Sequence, residues 1–588
     1  MRGALSPQEQ GSWSRGQICP CDHDPACPRC LGYGNTAVFG EDVFRPTRRM
    51  RPGSRLVAGH RTDAGASKPK ARSLACLFPV VTGGDLAGWI GGPPRTHANS
   101  LRNELAAIQG RILMETPEVT PEGRVYWQQA RRVLADEMVA AIGRPPPIGL
   151  RQAAKRLIQS HGSGLYGRAY YSLFLSPLNE LDARVKMFIK AEKWDVPHDE
   201  QLKDPRAIQY RGPRFNIVLA SHLYPLYDAY YDRMCGETGL CGCYSGIGLS
   251  TRDRAALIRR LFNRFPDPAA WCADYTRFDA HLGEDALRAE HGVYADVLGK
   301  KKGLKWMLRM QLKLKGRGVW GTRYKRRGAR VSGDLNTLGG NTIVNQLAFI
   351  AAVRALGLVG HVVAVLTGDD AVVLGSRQHV RRFAQGAPAV FREMGLVVEG
   401  EMAYNLEEIE FCSSKLVELT PGCWDSVRVF PKPLVCDLFT ANVTASKKQR
   451  LVNCRASAIC AALAYAGQPV YHALACYMLA HSEPLVGALD DRLPVDFLRQ
   501  CDQDTARRLS QAAHRAPITA IMEALGRGPT ECARASFALA FGVSPSEQVL
   551  LEERVVGGLG GSLRRGALSR SEVALVSRIR AVVPLGPY

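Results

Sequence analysis

Acidic residues are what this chain is short of. Its 588 residues include 55 Asp and Glu against 77 Lys and Arg, a net charge of +22. A deficit of that size predicts a polyanionic partner, nucleic acid before membrane. The shortage is local, which argues against a merely basic, soluble surface. No Asp or Glu occurs between Lys301 and Arg330, where twelve Lys or Arg stand; from Arg45 to Arg72 nine basic residues meet one acid, Asp63. No phosphate-cradling GxxxxGK[ST] loop is present, which argues against an attached helicase or ATPase. No apolar run reaches membrane-spanning length. The best candidate, Leu347 to Thr367, is broken by Arg354 and His361, so membrane association would need a partner or a surface patch. The chain reads as lacking a signal peptide. Its 17 cysteines, an odd and mostly scattered set, fit reduced thiols in a cytosol-like compartment. Hydrophobic residues make up 46%, enough for a large core shared among several subdomains.

Composition and periodicity divide the chain. Residues 1–75 are rich in Arg, Gly and Pro and read as a partly disordered basic arm. Within it, CPCDHDPACPRCLGYG carries Cys19, Cys21, His23, Cys27 and Cys30. Two close thiol pairs around a histidine are candidate zinc ligands, and the alternative is a cysteine-rich loop without metal. Residues 76–265 contain helical segments such as 101–113 and 125–143, with GRPPPIG (143–149) as a turn. Residues 266–430 alternate strand-like and helical stretches. The spacing predicts a strand and turn over 271–278, helices over 283–299 and 341–356, and a hairpin whose TGDD turn is exposed at its tip. Residues 431–588 are mostly helical in pattern.

The carboxylates carry the chemistry. Thr367, Gly368, Asp369 and Asp370 join two apolar runs, HVVAVL and AVVLG; upstream, DYTRFD holds Asp274 and Asp279. Asp274 and Asp369, each at a strand end, would aim oxygens at a common point, with Asp370 beside them. Two hard cations held by such carboxylates suit nucleotidyl transfer. Asp279 either accepts from a hydroxyl network at a ribose or caps the helix that follows. Between the carboxylate segments lies SGDLNTLGGN. Here Ser332, Thr337 and Asn341 offer groups that read sugar hydroxyls, and Gly333, Gly339 and Gly340 permit close backbone approach. Farther upstream, Lys190, Lys193, Arg206, Arg211 and Arg214 put positive charge beside a strand-like IQY segment, suited to a triphosphate and its template.

These segments, in this order, resemble the RNA-dependent RNA polymerases of positive-strand RNA viruses, in particular the tombusvirus-like group. The resemblance covers roughly residues 185–420 and rests on FIKAEK, DPRAIQYRGPRFN, DYTRFDAHL, SGDLNTLGGN, TGDD and EFCSSKLVE. Asp274 precedes Ser332 by 58 residues, and Ser332 precedes Asp369 by 37. The resemblance implies an α+β right hand. Residues 76–265 would be fingers and 266–430 a palm with an antiparallel sheet carrying the carboxylates. The basic segment 300–330 would lie between fingers and palm, and 431–588 would be a helical thumb. It further implies two Mg2+ or Mn2+ ions on Asp274, Asp369 and Asp370. Asp279 and Asn341 would recognise the ribose 2′-hydroxyl, with Ser332 and Thr337 in support. Lys190, Lys193 and Arg206 would line the nucleotide path. Phe411 and Cys412 would open a hairpin that grips the primer strand. RNA template, RNA product and nucleoside triphosphates are the implied partners. Other replication proteins would bring the chain to membrane-associated sites in the host cytoplasm.

One departure stands out. The family usually places a lysine after the Gly-Asp-Asp segment, yet residues 376–414 contain none, and Arg392 is a poor proton donor. Two other readings compete. A reverse transcriptase typically has a bulky aromatic five residues after the first Asp, where this chain has Asp279. A non-catalytic RNA-packaging protein would explain the basic clusters and leave the aligned carboxylates without a reason.

Overall fold

A computed structural model describes residues 50–57, 71–73, 75–76, 95–161, 163–193, 204–440, 447–482 and 525–557. The cluster Cys19, Cys21, His23, Cys27 and Cys30 lies outside them. The chain is a mixed α+β protein. In chain order its strands are β1 (Arg55–Val57), β2 (Ala71–Ser73), β3 (Ala75–Cys76), β4 (Arg95–His97), β5 (Val185–Ile189), β6 (Ala207–Tyr210), β7 (Cys243–Ser245) and β8 (Pro268–Tyr275). Then follow β9 (Lys313–Gly318), β10 (Arg323–Arg327), β11 (Val362–Thr367), β12 (Asp370–Ser376), β13 (Val398–Ala403), β14 (Ser414–Thr420), β15 (Cys423–Arg428) and β16 (Phe439–Thr440).

The central sheet runs β13-β8-β12-β11-β7. Its first four strands pair antiparallel, as expected, and β7 joins β11 in parallel. Both faces are covered, so the strands read as near-continuous apolar runs. Trp271, Leu366 and Val373 face the Thr337–Ala355 and Arg377–Glu393 helices, meeting Phe349 and Phe383. Ala270, Val365, Val372 and Leu374 face the Thr251–Phe262 helix through Ile258 and Leu261. The Thr337–Ala355 helix is buried along almost its whole length, which is why it lacks an apolar stripe.

A second sheet, β1-β10-β9-β5-β6, buries one face only. Leu56, Val185, Met187, Leu314 and Tyr324 pack on Leu101, Leu105 and Ile108. The alternate positions of β5, β9 and β10 are exposed and largely cationic. The segment expected to be a partly disordered arm thus supplies an edge strand, since Leu56 has an apolar face to fill. The β14–β15 hairpin packs with the Glu531–Phe541 helix in a separate apolar cluster.

A buried polar network fixes the segment that leads into the Thr337–Ala355 helix. Glu290 accepts from Arg330 at 2.6 Å, Asn336 Nδ2 at 2.8 Å and Tyr294 Oη at 2.7 Å. Arg211 pairs with Asp334, and Gln311 Nε2 donates to Asn336 Oδ1 at 2.6 Å. Burial alone would raise the Glu290 carboxyl; Arg330 foremost among its neighbours outweighs this and holds it below the ordinary value. Removing one partner from such a pair strands the other charge away from water. Glu290→Ala is therefore expected to destabilise the fold by about 3–5 kcal/mol in denaturant unfolding, whereas Glu290→Leu with Arg330→Met should lose much less. Equal losses in both would show that the pair is not what the segment depends on.

Candidate active site

The TGDD turn is a two-residue hairpin, with Thr367 opposite Asp370. Gly368 sits at φ +64°, the left-handed region open to glycine at this position of a tight hairpin. The buried helix clamps the turn from below. Thr342 Oγ1 accepts from Gly368 N at 2.9 Å, and Asn345 Nδ2 donates to the carbonyls of Gly368 at 3.1 Å and Asp370 at 3.4 Å. Tyr275 Oη in turn donates to Asn345 Oδ1 at 3.0 Å. Sequence reasoning passed over Thr342 and Asn345. Their signal was a polar face, Asn341, Thr342 and Asn345, inside an otherwise apolar helix.

Asp274 lies near the end of β8, exposed and in register with Glu399 on β13. β12 runs antiparallel on the other side of β8, with Ala371 opposite Ala273. The two carboxylate segments therefore occupy neighbouring strand ends. Between Asp274 and Asp279 the backbone turns through Arg277, at φ 49°; its guanidinium donates to Gly110 O at 2.6 Å and pairs with Asp204 at 2.8 Å. Asp279 sits inside the short helix Phe278–His281, whose N-cap is Arg277, so Asp279 is not the cap. Instead Asn341 Nδ2 donates to Asp279 Oδ1 at 2.8 Å. The other amide atom, Asn341 Oδ1, is buried and has no protein partner.

Water reaches Asp369 and Asp370, yet the protein crowded around them strips much of their solvation. This raises both carboxyls. Asp279 and Asp274 add to the rise at Asp369; Asp369, then Asp274, add to it at Asp370, which is pushed up to about 6. Arg206 opposes the effect at Asp369 and Arg254 at Asp370. The Cys412 thiol lies against Asp370 and Thr367. It is carried there by two successive left-handed residues, Cys412 at φ 54° and Ser413 at φ 53°. Arg254 is a further residue the sequence reading overlooked.

This donor set fits a hard divalent cation: carboxylates on adjacent strand ends, open to solvent, whose mutual repulsion a cation would cancel. Among the described residues no three His, Cys, Asp or Glu side chains already converge within ligating reach.

The remaining expected residues divide into two groups. Arg206 Nη1 pairs with Glu192 at 3.1 Å and Lys190 pairs with the same carboxylate at 2.5 Å, and the Arg206 charge reaches Asp369. The others are turned inward. Arg211 is 1% exposed and bonds Asp334 and the Ala183 carbonyl, so it cannot line a nucleotide path in this conformation. Lys193 Nζ donates to Cys436 O at 2.7 Å. Arg214 bonds Asp182 and the carbonyls of Ser176 and Pro177. Ser332 Oγ donates to Ala207 O at 2.9 Å, and Thr337 Oγ1 donates to Val331 O at 2.9 Å. The glycines serve protein packing here: a Cβ on Gly333 would stand 2.4 Å from Gln209 O, and one on Gly340 2.2 Å from Glu290 Oε1.

A carboxyl raised in the folded state adds stability below its unfolded value, 3.8, and loses that contribution as pH rises through about 6. Asp370→Asn should therefore raise the melting temperature of the metal-free protein at pH 7, by roughly 1–3 °C, and leave it unchanged near pH 3.5. Melting curves at the two pH values check this; a lower melting temperature at pH 7 would place Asp370 in a stabilising contact.

Residues 92–557 match the family described as viral RNA dependent RNA polymerase. The RNA-directed RNA polymerase of Cymbidium ringspot virus is 30% identical over 400 residues, covering 66% of this chain and 45% of that protein. The corresponding polymerase of Cucumber necrosis virus is 34% identical over 268 residues, 45% of this chain and 32% of that protein. That of Tobacco necrosis virus (strain A) is 31% identical over 265 residues, 43% and 35% respectively. The chain thus spans less than half the length of these relatives. On the match over residues 92–557, the chain belongs to the viral RNA-dependent RNA polymerase family, in its tombusvirus-like group.

Proposed function

We propose that this chain carries out template-directed RNA synthesis from an RNA template, copying and transcribing a viral genome. The observation that carries the reading is that Asp274 and the Asp369–Asp370 turn occupy neighbouring strand ends, with the Asp279–Asn341 pair close enough for the Asp279 charge to act on Asp369. The central sheet would be the palm. Residues 76–265 and the basic hairpin would form the fingers, joined by β1 from the arm, and residues 431–588 the thumb. The family generally works with divalent ions, and Asp274, Asp369 and Asp370 would hold two Mg2+ or Mn2+. Such ions, when bound, neutralise triphosphate charge and favour the ionised primer 3′-hydroxyl.

The chain's own residues do the positioning. Thr342 and Asn345 hold the turn that carries Asp369 and Asp370 through bonds to Gly368. Arg206 and Lys190 offer cations where a triphosphate would approach. Asn341, oriented by Asp279, leaves one amide oxygen to accept from a ribose 2′-hydroxyl. Residues 376–414 contain no lysine, so the proton for pyrophosphate has no assigned donor. RNA and nucleoside triphosphates are the substrates of this reading. No helix of the described residues is long and apolar enough to cross a membrane. We place its work in the host cytoplasm, with partner proteins recruiting it to membrane-associated replication sites.

Two expectations follow. Asp274→Asn and, separately, Asp369→Asn should abolish nucleotide incorporation on a primed RNA template, by on the order of a thousandfold or more, while RNA affinity holds. Near-normal incorporation by either variant would remove that residue from the catalytic set.

Asp279→Ala should narrow the preference for ATP over dATP by roughly ten- to a hundredfold, about 1.4–3 kcal/mol. A site built to bond a hydroxyl rejects the analogue lacking it, and the substitution frees Asn341 from its orientation. The ratio of catalytic efficiencies decides; an unchanged ratio would take Asp279 out of the sugar site.

A further inference from the structure

The outward face of the five-stranded sheet has a charge pattern that folding alone does not explain. One rung crosses all five strands: Val57 opposes Arg323, Arg323 opposes Arg317, Arg317 opposes Lys186, and Lys186 opposes Tyr210. The next rung sets Arg55 against Lys325 and Lys325 against Lys315. These side chains all point to solvent. Neighbouring strands lie about 4.8 Å apart, so like charges stand directly opposite one another, an arrangement that destabilises a sheet. No outward strand position holds an acid, and Arg327, at the margin of the face, pairs with Glu284.

The face changes character at its β5–β6 edge. Phe188 is 39% exposed and Tyr210 37%, with ring centroids 6.0 Å apart at an edge-on angle. Arg206, which immediately precedes β6, is close enough to the catalytic cleft for its charge to act on Asp369. Most of the cations thus lie on β1, β10 and β9, and the aromatic rings on the β5–β6 edge, where Lys186 joins them.

We propose that this face is an RNA-holding platform outside the catalytic cleft. Single-stranded RNA would lay its phosphates over the Arg323, Arg317 and Lys186 rung and stack bases against Phe188 and Tyr210 on its way to the cleft. A polyanion relieves the cross-strand repulsion, and exposed rings beside a track of cations suit the alternating bases and phosphates of a single strand. The inference rests on the polymerase reading for its purpose, but its binding test does not depend on synthesis.

The test uses the full chain and a fluorescein-labelled oligouridine 20-mer, followed by anisotropy over a range of salt concentrations. Charge reversal at three outward positions, Lys315→Glu, Arg323→Glu and Lys325→Glu, should weaken binding about tenfold or more and flatten the log–log salt slope by about 2. Phe188→Ala with Tyr210→Ala should weaken it about tenfold with the slope unchanged. The milder pair Lys315→Gln and Lys325→Gln guards against misfolding. It should raise the melting temperature of RNA-free protein, by relieving repulsion, and still lower RNA affinity. Unchanged affinity in the folded glutamine and glutamate variants would overturn the platform. So would wild-type binding to phosphatidylserine vesicles that the charge reversal abolishes while RNA affinity stays intact. A wild-type protein that binds the 20-mer through this face yet makes no RNA would overturn the polymerase reading and leave the platform standing.

Discussion

Arg330 and Glu290 are taken out of water together, and the rest of the site follows from where they are held. The Glu290 carboxylate collects Arg330, Asn336 and Tyr294 and lies so near Gly340 that no larger residue fits there. Arg211 and Asp334 repeat the device one layer away. Together they determine where the Thr337–Ala355 helix begins. That helix sets the depth of Thr342 and Asn345, and those two residues set the height of the Gly368 turn. A chain of polar bonds therefore runs from a buried ion pair to the exposed carboxylates. Each link lies in a low-dielectric interior, where a lost partner is expensive.

The carboxylates themselves work against the fold. Burial by the surrounding protein raises the carboxyls of Asp369 and Asp370, and the neighbouring charges add to it, those of Asp279 and Asp274 at Asp369 and those of Asp369 and Asp274 at Asp370. A fold selected only for stability would not place Asp274 opposite Glu399 and beside the strand that begins at Asp370. Apolar burial on both faces of the central sheet supplies the offset. Strands packed on Phe349 and Phe383 from one side and on Ile258 and Leu261 from the other can tolerate charge at their ends.

Much of this was legible in the sequence, because it depends on local pattern. Apolar runs flanking TGDD specify a hairpin, and Asp274 at the end of WCADY specifies a carboxylate on a strand. The nearness of Asp279 and Asn341, 62 residues apart, was implied by the family resemblance and not by local pattern. Residues whose role depends on distant partners were not legible. Arg211 and Arg330 belong to basic runs that look alike on paper; one meets Asp334 and the other Glu290, so both are buried. Gly333 and Gly340 read as openings toward nucleic acid, and here they admit Gln209 and Glu290. Arg254 reaches Asp370 from a helix with no motif of its own. The edge strand at Arg55–Val57 has only three residues and a single buried side chain, too short for periodicity to announce it.

That short strand has a consequence for the order in which the molecule is made. Residues 55–57 leave the ribosome 270 residues before their partner strand ends at Arg327, so the cationic sheet cannot close until that whole stretch has emerged. The central sheet waits still longer, for β13 to end at Ala403. Contacts this distant in sequence form slowly. At about 5–20 residues per second the two sheets become completable within roughly 4–15 s of each other. The cationic face and the carboxylate centre therefore arise almost together, and a nascent chain spends little time with one and not the other.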